Sequence, residues 1–227
     1  AREKAGIIKD NSPVVIGQTQ QEISSIFNDI AKSKNSEITF ADHFIYDTYN
    51  CDLKGDVQKK NIKTVLKSTE ILKNIDYKIN DVHIENGLNN VSSNTGLQGR
   101  WQVIQKKPII ICDTAHNEAA LSEVISQLTD MEYSDLHFII GFSNDKNLEK
   151  ISKLFPEDSK YYFVQSKVGR ARNSKEVRDF FKSNNRNGNY FESIEKTIKH
   201  VKRVSKENDV IFVGGSTFVV SEVLQKK

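Results

Sequence analysis

The sequence predicts an α/β protein whose second half is a doubly wound, three-layer and mostly parallel sheet, preceded by a smaller α/β piece. Short apolar runs recur after residue 100, and their continuous rather than alternating character marks strands buried on both faces. Segments with apolar residues at helical spacing separate these runs, so each strand can return parallel to the last through a crossover helix.

The strands are expected at WQVIQ (101–105), IIIC (109–112), LHFIIG (136–141), YYFVQ (161–165) and VIFVG (210–214), with a shorter one at NYF (189–191). Helices are expected at 117–128, 147–155, 174–183 and 194–205, and after Gly215. In the first of these Ala120, Leu121, Val124, Ile125 and Leu128 fall on one helical face; Asn173 followed three residues later by Glu176 is a capping signal for the third. The expected sheet has about six strands with one antiparallel edge, and it places Asp113, Gly141 and Gly214 on one edge.

The first part, residues 1–96, reads differently. VVIG after Pro13 and EITFA (37–41) suggest short strands, and Ile23, Ile26, Phe27, Ile30 and Ala31 form a helical face between them. Two further helices follow, one with Ile62, Val65, Leu66 and Leu72 on one face, the other opened by Asn80 or Asp81 as a cap. The polar cluster SSNTG (92–96) reads as a turn and the domain boundary.

At 227 residues and 25.9 kDa the chain can bury one good core and a smaller second piece. A net charge of +3 gives little support for a nucleic-acid partner. The most basic stretch, KTIKHVKRVSK (196–206), sets its lysines opposite Ile194, Ile198 and Val201, as a solvated helix face does. No apolar run approaches membrane-spanning length and no signal pattern opens the chain, so a cytoplasmic monomer without membrane contact is expected. Cys51 and Cys112 are too few for a disulfide framework and are expected to be reduced. Cys112 and His116 make a poor zinc pair without two further ligands. The only methionine is Met131, so a piece of a longer protein is the simpler reading of the start AREKAG.

Four strand ends carry unusual residues: Asp113 to Asn117, Gly141 to Lys146, Ser166 to Arg172, and Gly214 to Thr217. Singly, each reads as local capping or a solvated loop. Together they put carboxylates, cations and a Gly-Gly-Ser turn on one crevice, which suits a nucleotide needing backbone amides, cations for phosphate and acceptors for ribose. Asp113 and His116 are expected in a solvent-accessible turn. The plainer alternative has Asp113 merely capping the helix that starts near Asn117.

The strings LQGRW (97–101) and DTAHNEAA (113–120) resemble the PGR and DxAHNP signatures of the folylpolyglutamate and dihydrofolate synthase family, within the Mur ligase superfamily. EKAGIIK with PVVIG, LKGDVQKKNIKTVL, GFSNDKN and VGGSTFVVSEVL resemble other segments of that family, in the right order. Gln98 and Glu118 stand where the family often has proline. The resemblance implies a Mur ligase C-terminal domain, Rossmann-like, at 97–227, and the C-terminal part of the central ATPase domain at 1–96. It implies an ATP-dependent ligase that adds L-glutamate to folates through an acyl phosphate, with ATP and Mg2+ as cofactors and folate, L-glutamate and ATP as small-molecule partners. Residue by residue it implies Arg100 and Asp113 on the nucleotide, and His116 near the phosphates and the reacting centre. It further implies Asn117, Ser216, Asp145, Lys146 and Arg170 on substrates, and Lys4, if carbamylated, on magnesium. The family's glycine-rich GKS loop has no counterpart in these 227 residues, so the chain alone is expected to be inactive. A Mur-type ligase acting on a UDP-sugar and a non-catalytic nucleotide-binding module stand as alternatives; no GxGxxG follows any expected strand, which disfavours a dinucleotide oxidoreductase.

Overall fold

A computed structural model describes residues 1–225, in two compact units: residues 1–52 with 56–95, and residues 53–55 with 96 onward. The last two residues of the expected 97–227 span lie outside the described part.

The first unit contains helices α1 (Arg2–Ala5), α2 (Gln21–Ser33), α3 (Val57–Asn74), α4 (Asp81–Asn89) and α5 (Val91–Thr95), with strands β1 (Val14–Ile16) and β2 (Ile38–Phe40). The two strands pair in parallel, Val15 opposite Thr39. Ala5, Ile8 and Ala31 form one small core beside them, and Leu66, Ile84 and Leu88 another. Asn80 caps α4 by accepting from the His83 amide at 3.0 Å while the His83 ring faces the Asn80 amide, a reciprocal capping box. The expected SSNTG turn is corrected: residues through Thr95 form α5, and the Asp52 carboxylate accepts from the Ser92 amide at its first turn. A carboxylate at a helix start satisfies an orphan amide, which a reading of Ser and Asn as turn formers does not foresee.

The second unit holds strands β3 (Gln102–Lys106), β4 (Ile109–Cys112), β5 (Leu136–Ile140), β6 (Lys160–Val164), β7 (Gly188–Phe191) and β8 (Val210–Gly214). They form one sheet in the order β3-β4-β8-β5-β6-β7, with only β3 antiparallel. The six-stranded, mostly parallel sheet with an antiparallel edge is as expected. Helices α6 (Glu118–Thr129), α7 (Leu148–Ser152) and α8 (Ser174–Lys182) cover one face, and α9 (Ile194–Val204) and α10 (Thr217–Leu224) the other.

Residue alternation along the strands builds both cores at once. Ile111, Phe138, Tyr161, Phe163 and Phe212 point to the first face, where they meet Leu121, Leu128, Ile151, Val177 and Phe181. Ile110, Cys112, Ile139, Tyr162, Val164, Ile211 and Val213 point to the second, against Val201, Val219 and Val220. The first face is an aromatic stack in which Phe138 meets Phe155 edge-on at 5.1 Å and lies parallel to Tyr161 at 5.4 Å. Cys51 and Cys112 form no disulfide.

Two boundaries differ from expectation. The strand expected from Trp101 begins at Gln102, because Trp101 takes a left-handed turn with φ +46°. The helix expected over 147–155 ends at Ser152: the Leu154 and Phe155 amides bond three residues back rather than four, and the chain tightens before Pro156.

Phe138 is fully buried in the middle of β5. Replacing it with alanine is expected to cost about 3–5 kcal/mol, seen as a lower urea midpoint; a loss below ~1 kcal/mol would contradict the aromatic stack as the core of this unit.

Candidate functional site

Two turns meet at the end of β4. The chain leaves β4 at Cys112 and turns through Asp113–Asn117 into α6, where the Asn117 side chain caps the helix by accepting from the Ala120 amide at 2.9 Å. The other turn, Gly99–Trp101, feeds β3. Because β3 runs antiparallel to β4 with Gln102 opposite Cys112, its start lies beside the end of β4.

Asp113 joins the two turns. Its Oδ2 accepts from the Trp101 amide at 2.7 Å and its Oδ1 from the Ala115 amide at 2.8 Å. The Thr114 amide donates to the Gly99 carbonyl at 2.9 Å, and Arg100 Nη1 donates to Thr114 Oγ1 at 2.9 Å. Gly99 is left-handed, φ +70°, and an added Cβ would come within 2.8 Å of Thr114 Cγ2. Trp101 has no such licence: a left-handed backbone on a bulky residue costs about 1–3 kcal/mol. Burial of its ring among Ile111 and Leu121, and a charge-assisted hydrogen bond to Asp113, offset that strain.

The expected accessible position of Asp113 is corrected here. The residue is 7% exposed, because holding two backbone amides inside the joint between turns requires its carboxylate to face inward. Burial pushes its carboxyl above the usual range, while the Trp101 and Ala115 amides and Arg100 pull it back. Nor does Asp113 cap α6, a role Asn117 fills.

His116 is exposed as expected. Its Nδ1 lies 2.9 Å from the Thr114 carbonyl oxygen, which can only accept. The neutral ring therefore carries its proton on Nδ1, and Nε2 presents a lone pair away from the turn.

The adjacent strand end brings Ser216. The Asp113 amide donates to the Val213 carbonyl at 3.1 Å, so the β4 and β8 ends are in register. Gly215 turns left-handed at φ +81°, and a Cβ there would meet the Gly141 carbonyl oxygen at 2.8 Å. Ser216 is buried and caps α10, accepting from the Phe218 amide at 3.2 Å. The Arg170 guanidinium lies over the Phe218 ring at 4.4 Å. Beyond β5, Lys146 donates to Asp145 at 2.7 Å; that bond, with Lys146 and Arg170 charges, holds the Asp145 carboxyl below its usual range. The Asn144 amide donates to the Arg170 carbonyl at 2.9 Å, tying the two loops.

Arg100, Asp113, His116 and Asn117 thus share one joint, Ser216 and Arg170 meet at α10, and Asp145 and Lys146 lie on the same sheet edge. Lys4 sits exposed in α1 of the other unit. Three residues lay inside stretches that the sequence singled out but were given no role there. Thr114 orients Arg100 and His116, Trp101 supplies the strained amide, and Arg172 spends its guanidinium on the Asn144 and Lys146 carbonyls. Trp101 stood in the LQGRW string and Arg172 at the end of the Ser166 to Arg172 stretch, but neither position tells which backbone groups the residue will serve.

Residues 99–217 match the family model for the Mur ligase, glutamate ligase domain, from the Gly99 turn to the first residue of α10. The chain belongs to the Mur ligase family. It is 28% identical to the dihydrofolate synthase/folylpolyglutamate synthase of Buchnera aphidicola subsp. Schizaphis graminum, over the whole of this chain and 56% of that protein. A Mycobacterium tuberculosis folylpolyglutamate synthase complexed with ADP superposes with a TM-score of 0.87 at 15% identity, covering 99% of this chain and 57% of that one. A bifunctional folylpolyglutamate synthase/dihydrofolate synthase with Mn, AMPPNP and L-glutamate bound gives 0.80 at 21% identity, covering 99% and 55%. The Mur ligase chain therefore spans a little over half the length of the relatives it matches, and the solved structures share its fold.

In this Mur ligase domain the Asp113 joint is expected to outweigh the helix cap. Asp113→Asn turns an amide NH2 toward one backbone donor and should cost about 1–3 kcal/mol; Asp113→Ala frees both donors and should cost more than Asn117→Ala, at about 0.5–2 kcal/mol. Urea unfolding of the three variants gives the order, and an Asn117→Ala loss larger than that of Asp113→Ala would refute it.

Proposed function

We propose that this protein works as part of an ATP-dependent ligase that adds L-glutamate to folates, with residues 97–227 as its glutamate-ligase domain and 1–96 as part of an ATPase domain. The observation that carries the reading is the Asp113 joint, which fixes a guanidinium and an imidazole on one rigid pair of turns at the carboxyl edge of a parallel sheet, where α/β folds place ligands. The matching of a glutamate ligase family model over 99–217 supports it, as do relatives described as dihydrofolate and folylpolyglutamate synthases. For the first unit, the support is that two parallel strands of three residues each are far less sheet than parallel folds normally bury.

The residues present fit a nucleotide. Arg100 spends one donor on Thr114 and keeps the rest of its planar fork for phosphate. Backbone amides at the starts of α6 and α10 face the same edge. Lys4 is the proposed magnesium ligand, if carbamylated, but one exposed side chain does not make an octahedral site, and no step is assigned to the ion.

In the proposed reaction a folate carboxylate takes the terminal phosphoryl group of ATP, giving an acyl phosphate and ADP. The glutamate amine then attacks the acyl carbon, the C–N bond forms, phosphate leaves, and the amine proton must go to an acceptor. His116 Nε2, with its lone pair set by Thr114, is suited to hold that proton or to bond a developing phosphate charge. Asp113, with both carboxylate oxygens held by the Trp101 and Ala115 amides, acts as a positioning residue for Arg100 and His116 and meets the nucleotide only through them. Asn117, Ser216, Asp145, Lys146 and Arg170 are proposed to line the substrate edge, with Ser216 nearest the glutamate. A cytoplasmic, monomeric setting belongs to the same proposal; among the described residues no helix is long and apolar enough to cross a membrane.

In the longer enzyme, His116→Ala is expected to lower kcat/KM by roughly a hundredfold or more while the melting temperature stays within about a degree. Arg100→Ala should weaken ADP binding by roughly ten- to a hundredfold. Normal kinetics in both variants would sink the assignment. The 227-residue chain by itself is expected to show no ATP hydrolysis and no folate glutamylation, and robust turnover by it would show that the phosphate site has been misplaced.

A further inference from the structure

The edge of the six-stranded sheet away from the Asp113 joint, where the parallel strands begin, carries a second cluster. Asp135 precedes β5, His137 is its second residue, Asp209 precedes β8, and Lys160 opens β6. The His137 and Asp209 side chains are 0% and 1% exposed. His137 Nε2 lies 3.0 Å from Asp209 Oδ2, and Nδ1 lies 3.2 Å from the Tyr162 hydroxyl. Asp209 Oδ2 also accepts from the Lys206 amide at 2.8 Å. Asp209 Oδ1, equally buried, has no hydrogen-bond partner. One ligand atom each from Asp135, His137 and Asp209 can be chosen so that all lie within 4.8 Å of one another.

We propose that Asp135, His137 and Asp209 form a binding site for a borderline divalent cation such as zinc, distinct from the ligand edge of the domain. The orphaned Asp209 oxygen carries the argument. An ionised carboxylate held inside a protein normally has its lone pairs satisfied, and this one has an oxygen left over beside an imidazole and a second carboxylate. A set of one imidazole and two carboxylates gives three ligands, leaving a fourth position for water. A cavity of about 460 Å3, lined among others by Glu132, Ser134, Asn208 and Asp209, lies beside the cluster.

The surrounding groups fit this role. The His137 ring nitrogens face Asp209 and Tyr162, so either can be offered as a ligand once its hydrogen bond is given up. On metal binding Nε2 would give up its proton and Nδ1–H would donate to the Tyr162 oxygen, the kind of outer partner that orients a metal-bound histidine. Lys160 competes for the site, since its Nζ lies 2.8 Å from Asp135 Oδ2. Both members of that pair are well exposed, 49% and 37%, so Lys160 can swing into solvent at little cost. The other charged groups lining the cavity are Lys106, Lys107 and Glu207, with Lys107 and Glu207 paired to each other.

The test uses the whole chain, stripped with a chelator and titrated with Zn2+, Co2+ and Mg2+. Zn2+ is expected to raise the melting temperature by several degrees, with Mg2+ inert, and Co2+ to give visible absorption of a low-coordinate site. His137→Gln removes the nitrogen ligand. Because that variant also breaks a buried pair on which folding depends, Asp135→Asn, at a partly exposed position, is the companion; it should fold normally and weaken Zn2+ binding at least tenfold. A flat or lowered melting temperature with Zn2+, or wild-type affinity in a folded Asp135→Asn protein, would overturn the proposal.

Discussion

The carboxylate of Asp113 is the constraint on which the candidate site depends. Two backbone amides from different turns converge on its two oxygens, one from a tryptophan in a left-handed conformation that its side chain does not favour. A neutral side chain of the same shape offers one acceptor where two donors arrive. The ionised acid alone satisfies both, and its burial is tolerated because charge-assisted hydrogen bonds replace the lost water. Arg100 and His116 inherit their positions from this arrangement through Thr114, whose hydroxyl and carbonyl each hold one of them.

That joint is possible because the sheet is parallel everywhere but at one edge. Parallel strands bring the ends of β4, β8 and β5 to one side, and the single antiparallel strand returns the Gly99–Trp101 turn to the same place. The close approach of Gly215 to the Gly141 carbonyl then packs the β8 turn against its neighbour, so that Ser216 caps α10 at the same edge. Helices on both faces supply the apolar cover that lets such a sheet form, and the cluster with the aromatic stack around Phe138 and Phe181 is the larger of the two.

The strand starts on the opposite edge follow different physics. There, charged residues that read as ordinary strand boundaries fold into a buried histidine–aspartate pair with a tyrosine behind it. His137 sits within the apolar run LHFIIG, where a lone polar residue gives no hint of its partner 72 positions away. The two edges of one sheet thus hold two unlike clusters, one built on a carboxylate between two backbone donors and one on a histidine between two side chains.

Periodicity and turn chemistry were enough to determine the strand and helix order of residues 97–227, the parallel sheet with one reversed edge, and a crevice at the strand ends that hold Asp113, His116 and Ser216, while the resemblance of LQGRW and DTAHNEAA added Arg100 and the individual roles. These are local properties: apolar spacing, a helix cap such as Asn173, or a Gly-Gly-Ser turn is written within a few residues. Only the tertiary structure decided that Asp113 faces inward, that α7 stops at Ser152, that residues before Gly96 are helical, and that Arg172 serves loop carbonyls rather than a ligand. The end of α7 is a local tightening before Pro156, but the others turn on a partner distant in sequence, Asp52 for Ser92 and Trp101 for Asp113 among them. A hydrogen bond across such a separation leaves no periodic trace, because its geometry exists only after the chain has folded.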